Sequence, residues 1–456
     1  MLDILANRIY RHLFAAQILS LLGSGLTTVA LGLLAYDLAG ADAGAVLGTA
    51  LALKMVAYVG VAPLAGALAG RWPRRRFLVT LDLCRAALVL LLPFVTEIWQ
   101  IYALVFLFQS FSAAFTPAFQ ATIPDILPGE RDYTRALSLS RLAYDLESLL
   151  SPLLAGLLLT LMSFHWLFAG TTLGFLASAA LVVSVLLPSP QPAAGQASFG
   201  QRLTRGWRLY LATPRLRGLL ALSLAVAAAG AMVIVNTVIL VREALGGSDR
   251  DVALFFAAYG LGSMIVALTL PRLLESLSAR LVMLAGGAGL AALLPLAAIS
   301  QDYAAALALW LLLGAASALV QTPGGLLLKR SSHAEDRPAL FAAQFALSHA
   351  CWLLTYPLAG WLGAMLGLET TFYVLAAIAA VGTMIAALVW PAGDSSVLPH
   401  DHPEQTHTHA HTHDAHHQHE HEGWEGPEPH SHPHRHGPLR HSHELVIDDH
   451  HPVWPR

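Results

Sequence analysis

Gly66-Ala-Leu-Ala-Gly-Arg-Trp-Pro-Arg-Arg-Arg76 lies between two apolar runs, at about 44–69 and 77–96. Each arginine costs about 2.5–3.5 kcal/mol at the centre of a bilayer, so Arg71, Arg74, Arg75 and Arg76 cannot sit together in hydrocarbon. The flanking runs match the roughly 20 residues needed to cross about 30 Å of lipid. The stretch therefore reads as a tight turn on one membrane face, joining two spans. A merely basic loop explains the arginines but not the glycines before them, Gly66 and Gly70.

The same pattern extends in both directions. The 456 residues are 56% hydrophobic and 12% charged, with mean hydropathy +0.59. Helices of a soluble protein would carry polar faces; these runs lack them. Twelve spans follow, at about 13–38, 44–69, 77–96, 99–123, 138–162, 165–187, 217–241, 251–273, 279–299, 303–328, 339–366 and 369–391. The expected class is an all-α membrane protein. The first run continues too far for a cleavable leader. Cys84 and Cys351 both fall in apolar runs, which excludes a disulfide framework. No phosphate-binding loop or nucleophile constellation appears, so neither enzyme chemistry, an ATP-driven cycle, a cofactor nor a nucleic-acid partner is expected.

Basic residues set the orientation. They cluster before the first span, in alternate loops, and as Arg202, Arg205, Arg208, Arg215 and Arg217 between spans six and seven. Both termini are expected in the cytoplasm. The Pro-, Gly- and Arg-rich connection divides the chain into 1–187, six spans; 188–216, a central loop; and 217–391, six more. Thr116-Pro117 recurs as Thr322-Pro323 and Pro152 as Pro357, an offset of about 205 residues that marks two parallel halves.

Polar groups inside spans are costly enough to be read first as functional. Arg141-Leu-Ala-Tyr-Asp-Leu-Glu-Ser-Leu-Leu-Ser-Pro152 opens the fifth span with Asp145 and Glu147, and His349 and Cys351 fall opposite them in the eleventh. Carboxylate, imidazole and thiolate are all transition-metal ligands. Residues i and i+2 face nearly opposite sides of a helix, so the two acids cannot share a face. Arg141 is placed to pair with Asp145 at i,i+4, which makes Glu147 the better candidate for a central pathway. Asn236 is a further polar group on the expected path, and Lys54 is expected to face the eleventh span.

Residues 392–456 change character, with 3 basic and 11 acidic side chains. Eighteen of the 22 histidines lie between His400 and His451. They include His407, His409, His411, His413, His416, His417, His419, His421, His430, His432, His434 and His436. Few apolar residues and frequent prolines predict a disordered tail. Dispersed imidazoles suit a loose store for several divalent ions. Ligand chemistry alone leaves Ni²⁺, Co²⁺, Zn²⁺ and Cu²⁺ open.

Gly66, Leu68, Arg71, Arg74 and Arg75 resemble the G-x-L-a-D-R-x-G-R-R loop between the second and third spans of the major facilitator superfamily. Gly70 stands where that family usually has Asp, and Pro73 where it has Gly. The resemblance covers all twelve spans. It implies two six-helix bundles around a central cavity, with spans 1, 4, 7 and 10 lining it and 2, 5, 8 and 11 forming the seam. It also implies a conformational-switch loop of Gly66, Arg71, Arg74 and Arg75, with Asp82 and Arg85 expected to carry part of the charge network that Gly70 lacks. With its His-rich C-terminus the chain further resembles the nickel-resistance exporters of the NreB type. That resemblance implies export of a divalent metal, nickel first, by a protein of the bacterial inner membrane; ligand chemistry keeps cobalt and zinc open, the intramembrane carboxylates point to exchange for protons, and a monomer is expected. A small-organic exporter of the same fold and a non-transporting metal store are the readings to set against it.

Overall fold

The computed structural model describes residues 2–39, 43–69, 72–188, 199–300, 302–393, 397–402, 405–411, 430–436, 439–444, 446–447 and 454. Apolar runs become helices because lipid offers backbone N–H and C=O groups no partner but one another. The first half holds α1 (Arg8–Ala39), α2 (Ala43–Ala69), α3 (Arg74–Leu91), α4 (Ile98–Ile126), α5 (Glu130–Leu159) and α6 (His165–Val183). The connection read as a loop contains an amphipathic helix, α7 (Phe199–Ala212). The second half holds α8 (Pro214–Ile239), α9 (Asp249–Ser276), α10 (Ala279–Ile299), α11 (Tyr303–Gln321), α12 (Gly324–Arg330) and α13 (Arg337–Val389).

Two departures from simple helices follow from single residues. Pro323 has no N–H to give, so α11 stops at Gln321 and α12 resumes the same span at Gly324. Spans eleven and twelve form one element, α13, whose only non-helical backbone is Gly367 at φ 83°. Glycine alone adopts that angle without steric cost, so the chain reverses there with almost no loop. Polar caps close several ends. Glu97 and Gln100 form a reciprocal box at α4, and Asp302 accepts from the Ala305 N–H at 2.8 Å.

The buried apolar side chains fall into separate cores. One runs mainly through α8 to α13 around Trp310, Phe255 and Phe372; two others lie mainly within α1 to α6 around Tyr10 and Phe115, and around Phe168 and Phe175. A smaller apolar cluster of Ala62, Ala113 and Ala346 bridges the halves, so the seam between them carries apolar as well as polar contacts. Arginine-rich ends of α3, α5, α7, α8, α10 and α13 lie on one side, called here the basic face.

Within the histidine-rich tail, β1 (Val397–His402) pairs antiparallel with β4 (Leu439–Glu444), and β2 (Gln405–His411) with β3 (His430–His436). The alternating His-x-His pattern has the period of a strand. The register sets His400 opposite His441, His407 opposite His434, His409 opposite His432 and His411 opposite His430. Tail residues His413, His416, His417, His419 and His421, like Arg71 in the switch loop, lie outside the described residues.

Candidate functional site

A cavity of about 700 Å³ opens between the halves. Its wall comes from α2, α4 and α5 on one side, and from α8, α9, α11, α12 and α13 on the other. Aromatic side chains dominate: Tyr58, Tyr133, Tyr144, Phe256, Tyr259, Phe341, Phe345 and Trp352. Oxygen and nitrogen donors among them are Gln120, Ser140, Gln321, Gln344 and Ser348, together with Arg141, Asp145 and His349. The expected lining role of the first span is not met, since no described α1 side chain reaches this wall. The spans expected as mere seam, α2, α5, α9 and the first part of α13, line it extensively.

Arg141 and Asp145 pair at 3.1 Å, as their i,i+4 spacing required. The pair also reaches across the seam. Arg141 Nε donates to Ser263 Oγ of α9 at 2.8 Å, and its Nη1 to Gln321 Oε1 of α11 at 3.3 Å. A charge pair in the first half is thus bonded to two elements of the second.

His349 sits between two rings, 4.7 Å from Tyr58 edge-on and 4.2 Å from Phe345. Its Nδ1 is 2.7 Å from the Phe345 carbonyl. A carbonyl only accepts, so Nδ1 carries the proton and Nε2 keeps its lone pair. That arrangement fixes the ring and leaves one nitrogen for a proton or a metal. Lys54 lies near the same ring system, its Nζ 5.5 Å from the Tyr58 centroid.

Three expectations are corrected. Glu147, the favoured candidate, does not line the cavity. It turns toward α1, where a Cβ on Gly25 would fall onto Glu147 and Ser151, and Lys54 is the charge that acts on it. The helix places it one face away from Asp145, as i+2 geometry demands. Cys351 is buried and free but absent from the wall. Asn236 is buried within the second half, its Nδ2 donating to the Ala359 carbonyl at 3.2 Å, so it ties α8 to α13 instead of facing the pathway.

A fourth correction concerns the switch. Asp82 and Arg85 form an ion pair deep inside the first half, with Ser178 donating to Asp82 at 2.8 Å and Arg85 lying over the Phe115 and Phe175 rings. Among the described residues they make no hydrogen bond or ion pair to the second half. The network that crosses the basic face uses Asp125, at the end of α4. Asp125 takes both Arg74 at the start of α3 and Arg337 at the start of α13. Beside it Arg330 pairs with Glu130, the Tyr133 hydroxyl donates to the Gly325 carbonyl at 3.3 Å, and Arg205 of α7 grips Asp336 at 2.5 and 3.0 Å. Gly66 supports this closure, because a Cβ there would stand 2.7 Å from Ala342 of α13. Arg75 makes no ion pair among the described residues. In the sequence Asp125 stands at the end of the fourth apolar run, beside Pro124, five residues before the next charge. The cavity is therefore shut on the basic face.

No three His, Cys, Asp or Glu side chains converge on a metal-sized point among the described residues.

The sequence profile of the Major Facilitator Superfamily matches residues 13–237 and 220–419. The chain belongs to the major facilitator superfamily. It is a multi-pass membrane transporter and not an enzyme. A Bacillus subtilis (strain 168) relative, the uncharacterized MFS-type transporter YfiS, is 29% identical over 172 residues; the match covers 37% of this chain and 40% of YfiS. Solved superfamily structures share the fold at low identity. The human organic anion transporter MFSD10 superposes with TM-score 0.72 at 13% identity, over 83% of this chain and 99% of that one. A bacterial homologue of the iron transporter ferroportin, in its outward-facing state, gives 0.70 at 15%, over 84% and 98%. The fucose:proton symporter of E. coli gives 0.66 at 17%, over 84% and 98%.

Proposed function

We propose that this superfamily member exports a divalent transition metal, nickel first and cobalt or zinc next, by alternating access coupled to inward proton movement. The basic face is then the cytoplasmic one, in a bacterial inner membrane. The observation that carries the reading is the joint presence of Asp145 and His349 on one cavity between the halves, in a chain whose tail holds eighteen histidines. A transported ion must enter and leave, so a partial ligand set that keeps some of the ion's water suits transport better than a complete cage. Metal and protons compete for carboxylate and imidazole, which couples release of one to binding of the other. Rocking of the halves would break the Arg141 bonds to Ser263 and Gln321 and so change the surroundings of the Arg141–Asp145 pair.

A second reading rests on the cavity wall. Eight aromatic rings around 700 Å³ fit a small organic molecule with an anionic group for Arg141, and among the fold relatives MFSD10 is an organic anion transporter. Metal accumulation in cells with and without the protein separates the two. Lower intracellular Ni²⁺, Co²⁺ or Zn²⁺ with unchanged drug tolerance is the expected result. A drug phenotype with no metal phenotype overturns the metal reading.

A further inference from the structure

The end of the chain is seated on the transporter. Val446 and Ile447 are buried, and Ile447 belongs to the apolar cluster that holds Leu209, Tyr210 and Leu216 at the α7–α8 junction. Trp454 packs against the same cluster, with the Arg215 guanidinium 4.7 Å from its ring centroid. Arg215 is the second residue of α8. The tail's other end is fixed within one turn of it. Trp390, which caps α13, lies on Gly218, where a Cβ would be 3.0 Å from the Trp390 Cβ. The Trp390 carbonyl accepts from Arg280 Nε at 2.9 Å. The tail thus departs from and returns to the first turn of α8. Backbone pairing agrees independently. β1 with β4 and β2 with β3 share one antiparallel register, the arms of a hairpin whose base points to the two anchors.

We propose that Val446, Ile447 and Trp454 are a clasp that docks on the α7–α8 junction and ties the histidine-rich tail back to the basic face. An apolar anchor at the end of a polar, charged tail has this as its physical driving force, since burying Ile447 and Trp454 removes apolar surface from water and Arg215 adds a cation–π contact. Only the purpose of the clasp rests on the metal-export reading. A loop tied at both ends keeps its imidazoles at high effective concentration near the face where an ion loads; a tail tied at one end spreads them through a larger volume. The docking site also abuts the connection between the halves. α7 is bonded through Arg205 to Asp336, the residue before the Arg337 that binds Asp125.

The test places spin labels at Gly393→Cys and Glu444→Cys in full-length protein purified in detergent, with Cys84→Ala and Cys351→Ala as background. A narrow, short distance distribution is expected, broadening and lengthening when Trp454→Ala or Ile447→Asp is added. A second measurement follows trypsin cleavage after Arg440, expected to be several-fold faster in both clasp variants at unchanged gel-filtration profile. A broad distribution in the parent, or cleavage as fast in the parent as in the variants, overturns the clasp. Neither readout needs metal or transport. Nickel export with a broad distribution would sink the clasp alone, and a narrow distribution without nickel export would sink the metal reading alone.

Discussion

Two arginine–aspartate pairs lie in membrane spans of the first half, one on α3 and one on α5, and they behave oppositely. Arg85 and Asp82 sit wholly inside the first half, with side chains 4% and 0% exposed. Arg141 and Asp145 are 17% and 8% exposed, line the cavity, and hold Ser263 and Gln321 of the second half. Both pairs neutralise charge in lipid. The first moves as part of one rigid body whatever the halves do. The second must lose its outside partners whenever the halves separate. In a protein that works by relative motion of two packed bodies, a buried ion pair acquires a functional role through where its further hydrogen bonds go, not through its own chemistry.

The sharpest way to break that contrast is to remove one member of the internal pair. Arg85→Ala leaves Asp82 uncompensated in a closed core, a loss of about 3–5 kcal/mol, and is expected to abolish recovery of folded protein from the membrane. A normally melting variant would mean that the pair is dispensable. Next in size is the crossing network on the basic face. Arg337→Ala frees Asp125 from the second half while Arg74 still neutralises it. Folding should survive, and a cysteine at Gln344 should react several-fold faster with a maleimide added from that face. Unchanged reactivity would show that the ion pairs do not hold the face shut.

Glu147 sharpens the comparison from within one helix. It lies beside Asp145 in sequence but faces α1, so Glu147→Gln should lower flux by less than about threefold while shifting the melting temperature. A loss as large as that at Asp145 would return Glu147 to the pathway. The smallest effect belongs to Arg131–Glu275, which crosses between α5 and α9 at 3.2 Å with side chains 70% and 54% exposed. Solvent-screened pairs contribute about 0–1 kcal/mol. Glu275→Gln should leave both melting and flux unchanged, and a clear change in either would show that contact across the seam matters even without burial.

The twelve spans and their division into halves were legible because the hydrocarbon thickness is written directly into apolar run length. The Arg141–Asp145 pair was legible because i,i+4 spacing is local. What crosses between elements was not. Glu147 and Asp145 have the same chemistry and neighbouring positions, and only the rotation of α5 against α1 and α9 decides which meets the cavity. Asp82 and Arg85 matched a one-turn spacing but not the seam, while Asp125 carried the crossing network from a position 51 residues beyond Arg74. Asn236 illustrates the same limit, since an amide whose N–H donates to a carbonyl of another helix looks identical in sequence to one that faces a ligand. In the tail, the two-residue alternation pairs across short strands, and Ile447 and Trp454 reach a core that no local pattern announces.

Asp145 concentrates the account, because it is the carboxylate that both lines the cavity and depends on the other half for its surroundings. The direct measurement is Ni²⁺ flux driven by a pH gradient in proteoliposomes, parent protein against Asp145→Asn, with melting temperatures recorded for both. The parent should move nickel only when the gradient is present, and the variant should lose about tenfold or more of that flux at an unchanged melting temperature. Nickel movement equal to that of empty liposomes, or undiminished flux in Asp145→Asn, would contradict it.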